Sequence, residues 1–61
     1  MRLIISYDEI RDGEKTDMAA RLIAGTRGTV EDNADRRTVT VSVCQKVELV
    51  IAARLAQRFL K

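Results

Sequence analysis

Apolar and polar residues alternate in two stretches of this chain and recur at helical spacing in two others, and these four stretches organise the whole sequence. Over residues 2–7, Leu3, Ile5 and Tyr7 fall on one face of an extended strand and Ile4 and Ser6 on the other, which predicts a strand rich in β-branched and aromatic side chains. Thr38-Val39-Thr40-Val41-Ser42-Val43 alternates polar with apolar, the pattern of a strand with one buried and one wet face. Between them, Met18, Ala19, Leu22 and Ile23 recur at helical spacing over residues 14–24, with Asp17 and Arg21 opposite. This predicts a short amphipathic helix, with Asp12 or Thr16 as its N-cap and Gly25 as a left-handed C-terminal cap.

The clearest helix is the last, over residues 45–61. At about 100° per residue, Lys46, Arg54, Gln57, Arg58 and Lys61 fall within an arc of about 120°. Leu49, Ile51, Ala52, Ala53, Leu55, Ala56, Phe59 and Leu60 fill about 200° on the other side, with Val47 and Val50 intruding on the basic face and Glu48 on the apolar one. Ser42 and Gln45 have the spacing of a capping box, which starts the helix at Val43, ends the preceding strand near Val41 and turns Val43 and Cys44 onto the apolar arc.

Residues 25–37 hold little apolar content beyond Val30. A poor strand over 28–31, followed by a turn over Asp32 to Asp35, pairs as a hairpin with the next strand. The order is β-α-β-β-α in a single domain covering 1–61, with no repeat and no linker. A parallel crossover followed by a hairpin predicts an α+β fold, a small two-layer sandwich of a three-stranded sheet with two helices on one face. The other face, carrying Ile4, Ser6, Thr38, Thr40 and Ser42, is then bare.

Composition narrows the chemistry. There is no His, one Cys and no Pro or Trp, so His-dependent triads and zinc sites are excluded and no disulfide can form within the chain. The expectation is a non-enzymatic protein with no cofactor and no metal, in a reduced, cytoplasmic setting. No apolar run approaches the length of a membrane span or of a signal-peptide core, so no membrane association is expected. With seven alanines and only two aromatics, Tyr7 and Phe59, the core side chains are few and small, which points to self-association as a homodimer or to support from a partner.

Several short patterns stop short of their motifs. Gly13-Glu14-Lys15-Thr16 resembles the end of a phosphate-binding P-loop, but Glu14 stands where glycine is required before the lysine. Asp8, Asp12 and Gly13 match part of an EF-hand loop, while Ile10 and Ala19 stand where calcium ligands belong. Gly25-Thr26-Arg27-Gly28 looks like the GxxG loop by which KH domains clamp a nucleic-acid backbone, yet Thr29 to Arg37 lacks the apolar residues of the helix that follows in that family. Arg36-Arg37 beside Thr38, Thr40 and Ser42 is similar to the DNA-reading ribbon of ribbon-helix-helix repressors, which carry two helices after the ribbon where this chain has one. A cap glycine followed by a turn glycine, and an ordinary wet sheet face, account for the same residues. Cys44, on the apolar arc, reads as a small buried hydrophobe.

Charge is divided along the chain. Residues 1–35 carry 5 basic and 8 acidic side chains, and residues 36–61 carry 6 basic and 1 acidic, so a net charge of +2 hides a dipolar molecule. Arg36, Arg37, Lys46, Arg54, Arg58 and Lys61 are the candidate partner-binding residues, with Arg54, Arg58 and Lys61 spaced to project from one helical face. The expected function is a protein-binding module, an inhibitor or adaptor that occupies an acidic partner surface, of the size of accessory proteins carried by phages and mobile elements. The alternative is a small nucleic-acid-binding regulator using the same cations against phosphates.

Overall fold

The computed structural model describes residues 1–61. It contains β1 (Arg2–Ser6), a 3-10 turn (Tyr7–Glu9), α1 (Lys15–Gly25), β2 (Thr29–Asn33), β3 (Thr38–Ser42) and α2 (Lys46–Gln57). The sheet order is β1-β3-β2, with β3 antiparallel to both neighbours. β1 and β2 therefore run parallel with one strand position between them, and the hairpin strand β3 fills the position that the crossover through α1 skips.

Both helices cover one face, α1 toward β2 and α2 toward β1. The alternation read in the sequence decides which side chains they meet: Ile5, Val39 and Val41 point under the helices and join Met18, Leu22, Ala52 and Ala56 in the core. Met18, Leu22, Val39 and Val41 are the largest fully buried side chains, and no polar side chain is buried. α2 contributes the fully buried alanines Ala52 and Ala56, with Leu49, Leu55 and Phe59 packed beside them, where α1 contributes Met and Leu. No helix is long and apolar enough to cross a membrane.

Element ends differ from the sequence reading, in each case because a tertiary contact outranks a local signal. β3 runs to Ser42, and Val43 continues its ladder: the N-terminal ammonium donates to the Val43 carbonyl at 2.9 Å and the Val43 N–H to the Met1 carbonyl at 2.8 Å. With Val43 held in that ladder no capping box forms; α2 starts at Lys46, and its N-cap Gln45 is extended with no side-chain cap bond. Cys44 consequently lies in the connection and is exposed, not buried. At the other end α2 stops at Gln57, and the chain turns so that Leu60 bridges Ile10 while the Arg11 N–H donates to the Phe59 carbonyl and the Lys61 N–H to the Glu9 carbonyl, both at 2.8 Å. Lys61 is therefore not a helical residue, and it does not project with Arg54 and Arg58.

Other corrections are local. Tyr7 leaves β1 for the 3-10 turn, whose cap is the Ser6 hydroxyl, accepting from the Asp8 N–H. Neither Asp12 nor Thr16 caps α1; Glu14 takes the N-cap position without a side-chain bond. β2 spans Thr29–Asn33, so Asp32 is a strand residue and the turn occupies Ala34 to Arg37. Gly25 is not a left-handed cap, since only Gly13 among the glycines has positive φ. Gly25 is the last residue of α1, and a Cβ there would run into the Leu55 side chain of α2; Gly28 is required more strictly, because its Cβ would meet the backbone carbonyl of Ser42.

The helical apolar faces are narrower than the periodicity suggested. Ile23 is 61% exposed on α1, and on α2 the sheet takes Ala52 and Ala56, with Leu49, Leu55 and Phe59 half-buried beside them, while Ile51 and Ala53 are exposed at the margins. Leu22→Ala should lower the free energy of unfolding by about 2–5 kcal/mol, against about 0.5 kcal/mol or less for its exposed neighbour Ile23→Ala. Urea denaturation of the two variants checks this, and equal losses would contradict the packing described.

Candidate binding surface

The end of the sheet where β1 finishes and β3 begins gathers a set of charged groups around Tyr7. The Tyr7 N–H donates to the Arg37 carbonyl at 2.8 Å, which fixes the start of the 3-10 turn against the hairpin turn. The Tyr7 hydroxyl donates to Asp32 on β2, and Lys15 in the first turn of α1 lies 2.9 Å from the other oxygen of that carboxylate. The Lys15 ammonium sits 4.8 Å from the centre of the Tyr7 ring and the Arg37 guanidinium 5.4 Å from it, both within range of cation–π attraction. Arg37 also donates to Asp8 at 3.3 Å.

Arg37 adopts φ 54°, a left-handed conformation usual for glycine or asparagine. The turn places it there: Arg36 N–H is held by the Asn33 side chain at 3.1 Å and Arg37 N–H by the Ala34 carbonyl at 3.3 Å. Its side chain lies against Asp8 and the Tyr7 ring. Of the two ion pairs, the Lys15–Asp32 pair is the more sheltered, with side chains 40% and 41% exposed against 65% and 82% for Arg37 and Asp8. The Arg37–Asp8 pair therefore adds little to stability.

These contacts set the protonation of the cluster. The hydrogen bond to Asp32 raises the Tyr7 phenol above its ordinary value, and contact with the same carboxylate raises the Lys15 ammonium. The hydrogen bonds from Tyr7 and Lys15 hold Asp32 below the ordinary carboxylate range. At neutral pH the phenol and ammonium stay protonated, so neither is a base, and the cluster works as a clamp joining the 3-10 turn, α1 and β2. Sequence reading missed it because Tyr7 reads as a core residue, Lys15 as part of a failed motif and Asp32 as a turn. The alternation of β2 around Val30 was the one signal that turned Asp32 toward the helices.

The six cations predicted as partner-binding residues do not form one patch. Arg37 lies beside the clamp, against Tyr7 and Asp8, and Arg36 lies at the rim of the bare sheet face among Arg2, Glu31, Asn33, Thr38 and Thr40. Lys61 is tied by its backbone to Glu9. Lys46 sits at the start of α2, and Arg54 and Arg58 at its end, none with an ion-pair partner. Around Arg54 the outward face of α2 shows Val47, Val50 and Ile51 at 57%, 45% and 38% exposure. The exposed surface of α2 is thus a mixture of large apolar side chains and unpaired cations.

Cys44 lies beside Arg27, Gly28 and Glu48 at the start of α2, and no three His, Cys, Asp or Glu side chains converge on a common point. Comparison with family models, with curated proteins and with solved structures finds no match.

Because Asp32 is depressed in the fold, its contribution is fully present above its ordinary value of 3.8 and is lost as pH falls through the lower folded value. Asp32→Asn should lower the thermal midpoint at neutral pH and flatten its fall in acid. Raised Tyr7 and Lys15 act oppositely, stabilising below their ordinary values near 10 and ceasing to do so in strong alkali. Melting curves of both proteins across pH provide the measurement, and parallel profiles would remove the clamp from the stability of the fold.

Proposed function

We propose that this chain is a non-enzymatic protein-binding module, an inhibitor or adaptor that occupies an acidic surface of its partner through the outward face of α2. The observation that carries this reading is the exposure of Val47, Val50 and Ile51 between Lys46, Arg54 and Arg58. Apolar side chains exposed this far supply burial on docking, at about 25 cal/mol per Å² covered, while the flanking cations steer the encounter and set its register. The chain's size suits an accessory protein of a phage or mobile element, and an exposed thiol suits a reduced, cytoplasmic setting.

A nucleic-acid-binding regulator is the second reading, supported by Arg2 and Arg36 beside the hydroxyls of the bare sheet face. Against it, Glu31 lies on that same face, Tyr7 is engaged by Asp32, and Phe59 is half-buried, so no aromatic is free to stack on a base. Valines and isoleucine on α2 would also gain nothing from phosphates.

The double variant Arg54→Glu/Arg58→Glu should keep its fold, with stability within about 0.5 kcal/mol, and lose partner binding chiefly through a slower association at low salt. Affinity capture from nuclease-treated lysate, followed by binding kinetics with the captured protein, checks it; a folded double variant that still captures the same protein would sink the reading. A steep linear fall of log affinity with log salt on any oligonucleotide would favour the regulator instead.

A further inference from the structure

We propose that β1 is a dimerisation edge, pairing antiparallel with β1 of a second copy of this chain to make a continuous six-stranded sheet. The hydrogen-bond register identifies which groups the edge offers. Met1 and Val43 exchange both backbone bonds, and Tyr7 N–H donates to the Arg37 carbonyl, so in the β1–β3 register the odd-numbered residues of β1 bond to β3. Arg2, Ile4 and Ser6 therefore turn their N–H and C=O groups away from the sheet.

That set is self-complementary. With Ile4 opposite Ile4 across a two-fold axis, Arg2 of each copy stands opposite Ser6 of the other, and all three residues find backbone partners. The two Ile4 side chains, each 60% exposed in the single chain, then cover one another on the outer sheet face. Charge does not oppose this pairing: Arg2 is the one charged residue of β1, and in this register it faces the uncharged Ser6, so no like charges meet across the seam. On the helix side, an apolar groove between β1 and α2, lined by Leu3, Ile5, Ala53 and Leu60, runs along the same edge, and Ala53 is small enough to let two α2 helices approach.

The opposite edge does not offer this. β2 carries Glu31 and Asp32, and a two-fold at the middle of the strand would set Glu31 against its own copy with an Asp32 on either side; charged residues on an edge strand are the usual protection against pairing. β1 has no charge between Arg2 and Ser6. The chain also exposes 4422 Å², where a folded monomer of its 6.9 kDa mass is expected to expose about 4,000 Å². This interface uses none of the α2 residues proposed to meet an acidic partner, so the two proposals fail separately; together they describe a bivalent binder.

Sedimentation equilibrium of the full chain at hundreds of micromolar should give about 14 kDa, twice the 6.9 kDa chain mass. Ile4→Lys, at an exposed outer-face position, should give about 7 kDa with an unchanged far-ultraviolet spectrum. A wild-type mass of about 7 kDa at every concentration, leaving the edge to another protein's strand, overturns the proposal, as does a species larger than a dimer or a folded Ile4→Lys dimer. If Ile4→Lys does not fold, Ala53→Arg takes its place, and a folded Ala53→Arg dimer overturns the proposal equally.

Discussion

The insertion of β3 between two parallel strands is the constraint on which everything else in this molecule rests. β1 and β2 do not touch; each is held only by its ladder to β3, and both helices close over Val39 and Val41 of that strand. The central strand arrives last of the three in sequence, so the crossover through α1 gains a sheet to pack on only once the hairpin has folded back. Val43 extends the same ladder and anchors the N-terminal ammonium, which ties the first residue of the chain to the strand that completes the sheet.

A second consequence follows from the side chains that meet β3. α1 brings Met18 and Leu22 and α2 brings Ala52 and Ala56, and glycines stand where a side chain would collide, Gly25 against Leu55 of the neighbouring helix and Gly28 against the Ser42 carbonyl. The larger exposed side chains lie on the faces this packing leaves uncovered: Ile4 on the bare face of the sheet, and Ile23, Val47, Val50 and Ile51 on helix faces turned from it.

Charge is sorted by the same fold. Two of the cations near the hairpin end are answered locally, Arg37 by Asp8 and Lys15 by Asp32, with Tyr7 between them. Those on α2 are not answered, because the acidic residues of the chain are concentrated in its first 35 positions and, apart from Glu48, α2 brings no acid of its own. Glu48 is turned toward Arg27, whose N–H it accepts at 3.4 Å, and so does not neutralise Arg54 or Arg58.

The order β-α-β-β-α, the α+β class and the faces of β1 and β3 are legible along the chain, because alternation in Leu3, Ile5, Val39 and Val41 is a property of neighbours and the sheet has one face to cover. The Met18 and Leu22 face of α1 is legible for the same reason. The ends of elements and the grouping of charges are not, because they depend on contacts between distant parts of the chain. Ser42 and Gln45 have the spacing of a cap, but Met1 holds Val43 in the ladder, so α2 starts later and Cys44 is exposed; Leu60 pairs with Ile10, so Lys61 leaves the helix and the basic stripe is cut short. Tyr7, Lys15 and Asp32 meet from three separate elements, and no local pattern encodes a contact whose partners are brought together only when α1 packs beside β2. Local periodicity fixes which way a side chain faces, whereas what it faces depends on which distant backbone competes for the same hydrogen bonds.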